Sequence, residues 1–296
     1  MNPYSFEDYK EKPELAVPAL GNLLQKGQLC LFLGAGASKG FGLPSWTELI
    51  ADLLGHKGNS KYIQQLSRKS DKDISKLIDD IDDESQEYLK KVHRALYSSV
   101  EENLEAQLQR SPLLLAVSAL LTGNCRGRIT SIITYNYDNI LEQYLQMLGY
   151  SVCIRTEPYN LSSWADVEIN QVHGYLPKIW IEGVTYNNIV LSEKSYRKRR
   201  ASIDEAWGSF VVNCLHMKCG LFIGLSGDDS SILDIVQRAK DKIIRANDYL
   251  GYWLLADDAF DRNYKSIHDV GICPIKLPIK DFPNFLFDIC KNAIPN

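Results

Sequence analysis

The sequence predicts an α/β protein with a Rossmann-like, doubly wound parallel sheet and an inserted helical sub-domain. Three observations predict this fold. Short apolar runs alternate with stretches of helical spacing, which is typical of a parallel sheet covered by helices. Several of these runs end in glycine-rich or polar loops. A charged segment with helical but no strand pattern interrupts the alternation at residues 55–110. We therefore assign residues 1–54 and 111–296 to the sheet domain and residues 55–110 to the insert.

The first unit of the sheet is predicted as a strand, a glycine loop and a helix. Residues 29–33 (LCLFL) are a short apolar run, which indicates a buried strand, and the loop GAGAS follows at residues 34–38. Ser45 and Glu48 have the spacing of a capping box, which predicts that a helix begins at Trp46. Apolar residues then recur at helical spacing over the next two turns.

The later elements continue the alternation. Apolar or β-branched runs predict strands at residues 129–134, 151–156, 167–173, 220–225, 251–256 and 271–277. Helical spacing predicts helices at residues 113–121, 140–148, 203–217 and 231–240. Helices between strands provide the crossover connections that a parallel sheet needs.

Composition and charge exclude several classes of protein. The 296 residues are 45% hydrophobic and 24% charged with a net charge of −4, which is typical of a globular chain and not of a disordered or collagen-like one. The longest apolar stretch, residues 113–121, is too short to span a bilayer, and the N-terminus is polar and acidic. We therefore expect a cytoplasmic protein without a membrane segment. The acidic run at 71–87 and the basic run at 194–200 (KSYRKRR) are expected to be solvated faces, although the basic run could also contact a partner or nucleic acid.

The cysteines give no pattern of a disulfide framework or a zinc site. There are seven, an odd number, and no C-x-x-C pair occurs. This usage favours a reducing compartment. Cys214, His216 and Cys219 lie close together in sequence, but their spacing fits no standard zinc motif. We therefore expect no metal.

Polar loops follow several of the predicted strands. They are GAGAS after residue 33, TYNYD at 134–138, QVHGY at 171–175 and GLSGDD at 224–229. Because ligands bind at the carboxyl ends of strands in open parallel sheets, these loops together predict a nucleotide site. Each loop alone has a simpler explanation, such as a tight turn, an Asn or Asp bonding its own backbone, a structural histidine or a helix cap. The glycine spacing matches neither G-x-G-x-x-G nor a P-loop.

Taken in order, the four loops resemble those of the sirtuin-like NAD-binding fold, over roughly residues 20–280. The chain lacks the cysteines of the deacylase zinc ribbon, has Pro44-Ser45-Trp46-Thr47 where that family has Pro-Asp-Phe-Arg, and shows no acyl-lysine segment. GLPSW followed by a helix is similar instead to the bacterial sirtuin-like subgroup of anti-phage defence. That resemblance implies an NAD glycohydrolase that cleaves NAD to nicotinamide and ADP-ribose as an abortive-infection effector.

The resemblance also implies roles for individual residues. Asn136 would position water and the nicotinamide ribose, and His173 would act on the ribose hydroxyls as general base. Asp138 would orient Asn136 or contact the nicotinamide end. The residues implied to bind the rest of NAD are Gly34, Ala35, Gly36 and Ser38 at the pyrophosphate, Ser226 and Asp228 at the adenosine half, and Trp46 over the nicotinamide pocket, unless Trp46 packs in the core.

The resemblance implies partners as well, and two other functions stay open. An NAD hydrolase needs control, so we expect a homo-oligomer or a separately encoded ATPase of the HerA type. The first alternative is a zinc-less protein deacylase. The second is a non-catalytic module that senses NAD or ADP-ribose. Direct nucleic-acid binding is not expected, because the net charge is negative.

Overall fold

The structure, a computed structural model, describes residues 4–101, 103–122, 128–158, 164–184, 186, 189–200, 204–228, 230–242 and 249–293. Its centre is a seven-stranded sheet in which every neighbouring pair is parallel. The strands are β1 (Leu29–Leu33), β2 (Ser131–Thr134), β3 (Val152–Arg155), β4 (Val167–Gln171), β5 (Cys219–Ile223), β6 (Gly251–Leu255) and β7 (Ile272–Lys276). Their order across the sheet is β3-β4-β2-β1-β5-β6-β7. The predicted α/β class is therefore confirmed.

Helices precede, interrupt and follow the strands. In the N-terminal half they are α1 (Phe6–Glu11), α2 (Val17–Gln25), α3 (Trp46–Leu53), α4 (Ser60–Leu66), α5 (Asp71–Lys76), α6 (Gln86–Tyr97), α7 (Leu104–Gln109) and α8 (Pro112–Leu121). In the C-terminal half they are α9 (Ile140–Met147), α10 (Glu193–Arg200), α11 (Asp204–Met217), α12 (Ser230–Asp241), α13 (Asp257–Asp269) and α14 (Phe282–Asn292). The capping box predicted for Ser45 and Glu48 is present at the start of α3. Within the described residues, no helix is both long and apolar enough to cross a bilayer.

Both faces of the sheet are buried by helices, as a doubly wound fold requires. The alternation along β1 shows this directly: Leu31 belongs to a core cluster with residues of α2, α8 and α14, whereas Phe32 belongs to one with residues of α11, α12 and α13. On the second face, Phe222 stacks between Phe32 and Trp253, with ring centroids 4.3 and 4.7 Å apart. The stack ties together the three central strands β1, β5 and β6.

A third hydrophobic cluster holds the helices of the segment 55–110. It joins apolar side chains of α4–α7, such as Leu66 and Val92, to Ile50 of α3 and to residues beyond β2, such as Ile140. The predicted segment is thus helical where it was expected to be. The division of the chain into a sheet domain and an insert at residues 55 and 110 stays a prediction.

The strand order creates one reversal point in the sheet. The chain runs from β1 to its neighbour β2, then to the edge strand β3 and back to β4 between them, before it crosses to β5 on the other side of β1 and continues outward through β6 and β7. In open parallel sheets a ligand crevice lies at such a reversal, outside the carboxyl ends of the strands. Here the reversal lies between the loops that follow β1, β2 and β5.

Candidate functional site

The strand register brings the polar loops to one edge of the sheet. Leu33, the last residue of β1, pairs with Thr134 of β2 and with Ile223 of β5. Thr134 in turn pairs with Gln171, the last residue of β4. Asn136 and His173 therefore both lie two residues beyond the same pair. The sequence predicts that these residues share an edge, and the register places both just beyond the ends of adjacent strands.

The loops after β1 and β5 pack backbone against backbone. The N–H of Gly34 donates to Ile223 O (3.0 Å), and the N–H of Gly36 donates to Gly224 O (2.8 Å). A Cβ at Gly36 would lie 2.8 Å from Gly224 Cα, and one at Gly224, where φ is +72°, would lie 2.6 Å from the N of Ala37. Only glycine permits this approach. The glycines thus serve first to join two loops of the site.

One backbone amide of the GAGAS loop remains for a ligand. Besides the amides of Gly34 and Gly36, those of Ala37 and Ser38 donate within the loop itself, to Gly34 O and Ala35 O. Ala35 is exposed, and its N–H makes no backbone hydrogen bond within the described chain. An exposed amide in a glycine-rich turn can bind an anion such as a phosphate. Of the loop amides that the sequence suggests for a pyrophosphate, the Ala35 amide is therefore the one without a backbone acceptor in the described chain.

Asn136 braces the same loop through its side chain. Its Nδ2 donates to Gly34 O (3.1 Å) and to Ser38 Oγ (3.2 Å), which uses both amide hydrogens. Its backbone N–H donates to Thr134 Oγ1 (3.2 Å). The side chain is half-buried, and its Oδ1 has no hydrogen-bond partner among the residues described. That oxygen is left to accept a hydrogen bond from water or from a ligand hydroxyl.

Asp138 is the buried end of this hydrogen-bond chain. Its Oδ1 accepts from the Ser38 hydroxyl (3.1 Å) and from the N–H of Ile140 (3.0 Å), and its backbone oxygen accepts from Gln171 Nε2 (3.2 Å). Burial raises the pKa of the Asp138 carboxyl, while the hydrogen bonds from Ile140 and Ser38 act in the opposite direction. The carboxyl therefore orders Ser38, and through it Asn136, from inside the protein.

His173 lies among tyrosine rings. It is half-buried, and its Nε2 hydrogen-bonds with the hydroxyl of Tyr196 (3.0 Å). Tyr135 meets the imidazole edge to face at 5.1 Å between ring centroids, and the ring of Tyr137 lies 6.4 Å away. The backbone oxygen of His173 accepts from the N–H of Val190 (3.1 Å). The imidazole thus has a defined orientation at the sheet edge.

Ser226 and Asp228 lie on the other side of the reversal and face helix α13. Both are exposed. Asn263 Nδ2 donates to Ser226 O (3.0 Å) and to Asp228 Oδ1 (2.7 Å), and Arg262 Nη2 lies 3.8 Å from Asp228 Oδ2. The loop is therefore anchored on α13 with its polar groups accessible. Asp229, the last residue of the predicted loop GLSGDD, lies outside the described residues.

Trp46 lies in the first turn of α3, half-buried against the third hydrophobic cluster. Its Nε1 is buried and has no hydrogen-bond partner in the part of the chain that is described. The observed contacts of Trp46 are thus those of a packed side chain, and its role over a nicotinamide pocket stays a prediction. A buried indole N–H without a partner costs free energy, so a ligand acceptor there would be stabilising.

Cys214 and His216, which lie close together in sequence with Cys219, have surroundings that the structure describes. His216 Nε2 hydrogen-bonds with Ala239 O (3.2 Å), and burial raises the pKa of the Cys214 thiol to about 11. A protonated thiol is a poor metal ligand. Across the residues that are described, no group of His, Cys, Asp and Glu is arranged to hold a metal ion.

The structure brings some predicted residues together and adds others. Gly34, Ser38, Asn136 and Asp138 form one hydrogen-bonded group, and His173 lies on the next strand along. Sequence reasoning missed Gln171, Tyr196, Arg262 and Asn263. Gln171 is the last residue of β4 and the first of the polar loop QVHGY, and its place in that loop is the signal that could have found it. The other three lie on helices whose packing against the loops carries no sequence signal.

Comparison with known proteins gives a family match for part of the chain. Residues 130–275 match the SIR2-like domain family. The matched range begins just before β2 and ends within β7, so it includes Asn136, Asp138, His173, Ser226 and Asp228. The GAGAS loop lies outside the matched range. No curated protein matches the chain.

Proposed function

Because the chain carries a SIR2-like domain, we propose that it binds NAD at the carboxyl edge of the sheet and hydrolyses the nicotinamide–ribose bond. One observation carries the proposal. Asn136 and His173 each lie two residues beyond the paired ends of the adjacent strands β2 and β4, and Asn136 contacts a loop that has an exposed amide. Binding alone would not require both an oriented amide oxygen and an oriented imidazole at this point.

The chain's own groups suit the parts of NAD in turn. The Ala35 amide would bind a pyrophosphate oxygen. The exposed carboxylate of Asp228 and the hydroxyl of Ser226 could accept hydrogen bonds from the hydroxyls of the adenosine ribose. The nicotinamide ribose would then lie over the end of β2 and β4, next to Asn136 and His173.

The proposed reaction consumes one water, forming nicotinamide, ADP-ribose and a proton. As the bond to the cationic pyridinium ring breaks, nicotinamide leaves as a neutral molecule and positive charge develops on the ribose. The Asn136 Oδ1 would accept a hydrogen bond from the attacking water, while its Nδ2 stays fixed on Gly34 and Ser38. His173 would take a proton, either from a ribose hydroxyl or from the water. Asp138 holds the network from below without touching the reacting atoms.

We propose further that the activity serves anti-phage defence and is controlled by assembly or by a partner, such as a HerA-type ATPase. The sequence resemblance supports this role. So does a physical consideration: free hydrolysis of NAD would harm the cell that makes the enzyme. Light scattering and copurification would test assembly.

The deciding experiment incubates the purified chain with NAD and follows nicotinamide and ADP-ribose by chromatography. We expect release of both products in excess of the enzyme. Loss of the general base in His173→Ala should lower the rate about 10²–10⁴-fold, and Asn136→Ala should lower it comparably. His268→Ala is the matched control, because His268 lies in the last turn of α13, which leads to the amino end of β7. Thermal unfolding of each variant checks that it is folded.

Each outcome separates the candidate functions. Turnover in a folded His173→Ala variant equal to wild type would contradict the mechanism. Nicotinamide release that requires an added acetylated peptide would identify a deacylase. Tight NAD binding without cleavage, alone and with copurifying partners, would identify a sensor module.

A further inference from the structure

The hydroxyl of Tyr196 is the group that meets His173 Nε2. The two atoms are 3.0 Å apart, and the tyrosine ring meets the imidazole edge to face at 5.7 Å between centroids. Two further tyrosine rings, Tyr135 and Tyr137, also pack near the imidazole. Tyr196 therefore is placed to control the orientation and protonation of this imidazole.

Tyr196 reaches His173 from helix α10, whose first turn is tied to the helical segment 55–110. The hydroxyl of Ser192, just before α10, donates to Asp82 Oδ2. The N–H of Lys194 donates to Asp79 Oδ1 (2.8 Å), and its Nζ donates to Asp82 O (3.0 Å). Three hydrogen bonds to Asp79 and Asp82, in the turn between α5 and α6, thus fix the start of this helix.

The anchoring side chains are buried, which makes the attachment rigid. Asp82 is 4% exposed, and Ser192 is fully buried. Ser195 closes the group: its hydroxyl accepts from the N–H groups of Leu191 and Ser192, and its N–H donates to Ser192 Oγ (2.9 Å). Buried polar groups that satisfy one another hold a single arrangement, because separating any of them costs its desolvation energy. Tyr196 follows Ser195 directly in the chain, so its place over His173 is set by this group.

We propose that Tyr196 is a positioning residue for His173, and that helix α10 holds it there through the Asp82–Ser192–Ser195 group. The inference rests on the proposed function and deepens it. It adds a residue that acts on the base from a helix and not from a loop at a strand end. It also connects the segment 55–110 physically to the site.

The chemistry of the pair explains what the hydroxyl does. A phenol can donate to a neutral ring nitrogen and can accept from a protonated one, so it can keep its bond as the imidazole gains a proton. A partner on one ring nitrogen also fixes whether the other nitrogen carries hydrogen. Without the hydroxyl, the ring loses the contribution of this hydrogen bond to its tautomer preference and to its orientation. A base that is less often in the right state lowers kcat and leaves substrate binding unchanged.

The experiment compares Tyr196→Phe with Tyr175→Phe in the full chain. Tyr175 is the matched control, since it also lies just beyond β4 and also loses a hydroxyl hydrogen bond, but to Glu142 and not to His173. The first readout is the ¹⁵N spectrum of the histidine side chains without NAD, titrated with pH. The chain has five histidines, and His173→Gln assigns the signal. The second readout is kcat and KM for NAD cleavage.

For Tyr196→Phe we expect the His173 titration to move by about half a pH unit, the size expected for loss of one hydrogen bond. Its sign reports which atom donates: a rise means that the tyrosine donated to the neutral ring, and a fall means that it accepted. We expect kcat to fall about tenfold with KM within about twofold, and Tyr175→Phe to match wild type in both readouts.

A His173 ¹⁵N spectrum in Tyr196→Phe that keeps both the wild-type tautomer and the wild-type titration would overturn the inference, whether or not NAD is cleaved. Equal kcat in Tyr196→Phe and wild type would overturn it as well. If the wild-type chain cleaves no NAD, the proposed function fails, and the titration still decides whether Tyr196 holds His173. The two failures are therefore distinguishable.

Discussion

At the scale of single residues, Asp138 controls the order of the site from a buried position. Its carboxyl is buried, and its Oδ1 accepts hydrogen bonds from Ser38 and Ile140. Desolvation of the charged form therefore outweighs the hydrogen bonds, and the pKa of the carboxyl lies above its usual range. Keeping an ionised group here costs stability, while the same carboxyl orders Ser38 and, through it, Asn136.

This balance predicts how stability changes with pH. Between the unfolded pKa of about 4 and the higher folded pKa of Asp138, the folded state binds more protons than the unfolded state. The contribution of Asp138 to stability therefore falls as pH rises through that window. Asp138→Asn removes the titration while its Oδ1 can still accept both hydrogen bonds.

The stability of Asp138→Asn relative to wild type should accordingly increase from pH 4 upward and level off above the folded pKa. The gain is about 1.4 kcal/mol for each unit by which the folded pKa is raised. Urea unfolding at a series of pH values between 4 and 8 measures it. A relative stability that is constant or falls with pH would contradict the prediction.

At this scale the sequence predicts residues that follow strands and misses residues that reach the site from helices. Asn136 and His173 could be predicted, because the ends of parallel strands share an edge. That the Asn136 amide would bond Gly34 O, 102 residues away in sequence, could not be predicted, since it depends on the register of β1 and β2. Tyr196 could not be predicted for a similar reason: its contact depends on where α10 packs.

At the scale of elements, the contact between the loops after β1 and β5 decides the shape of the proposed phosphate site. Gly36 and Gly224 approach so closely that a single added methyl group on either would meet backbone atoms. Backbone cannot move aside as a flexible side chain can. The position of the Ala35 amide therefore depends on this contact.

The Gly36→Ala variant tests the contact, with Gly40→Ala as the matched control in the same segment. A Cβ at Gly36 would lie 2.8 Å from Gly224 Cα, whereas one at Gly40 would meet nothing within 4 Å. We expect Gly36→Ala to lose about 1–3 kcal/mol in urea unfolding and to bind NAD more weakly. Gly40→Ala should stay within about 0.5 kcal/mol of wild type. Equal effects of the two substitutions would mean that the loops do not touch.

The elements themselves could largely be predicted from hydrophobic patterning. Every strand of the sheet lies within one residue or so of a predicted run, because buried parallel strands are short and continuously apolar. Hydrophobic patterning does not predict the terminal helices α1, α2 and α14 or the helix α13. Their apolar residues are separated by prolines or charged side chains, as in Val17–Gln25 and Asp257–Asp269, and their burial comes from packing against the sheet.

At the scale of the whole molecule, the strand order shows that the matched family range is not a structural unit by itself. Residues 130–275 include β2 to β6 and most of β7 but not β1. In the sheet, β1 lies between β2 and β5 and pairs with both. The helices α2, α8 and α14, which cover one face, also lie outside this range. Such an order could not be predicted from the sequence, because every strand pattern allows several neighbours.

A fragment of residues 130–275 should therefore not fold alone. Without β1, the edges of β2 and β5 would be about 9–10 Å apart, two strand spacings, with no backbone partners between them, and the buried residues Ile132 and Leu221 would face solvent on one side. We expect no cooperative urea transition and poor chemical-shift dispersion for the fragment. Coexpression of residues 1–129 with residues 130–296 should restore both, since the missing strand and helices return.

A fragment that folds cooperatively by itself would mean that β2 and β5 can pair directly, and the central place of β1 would then not be required for the sheet. The GAGAS loop, which follows β1 directly, would in that case be an addition to the domain; if the fragment fails and the pair succeeds, strand and loop are one inseparable part of it.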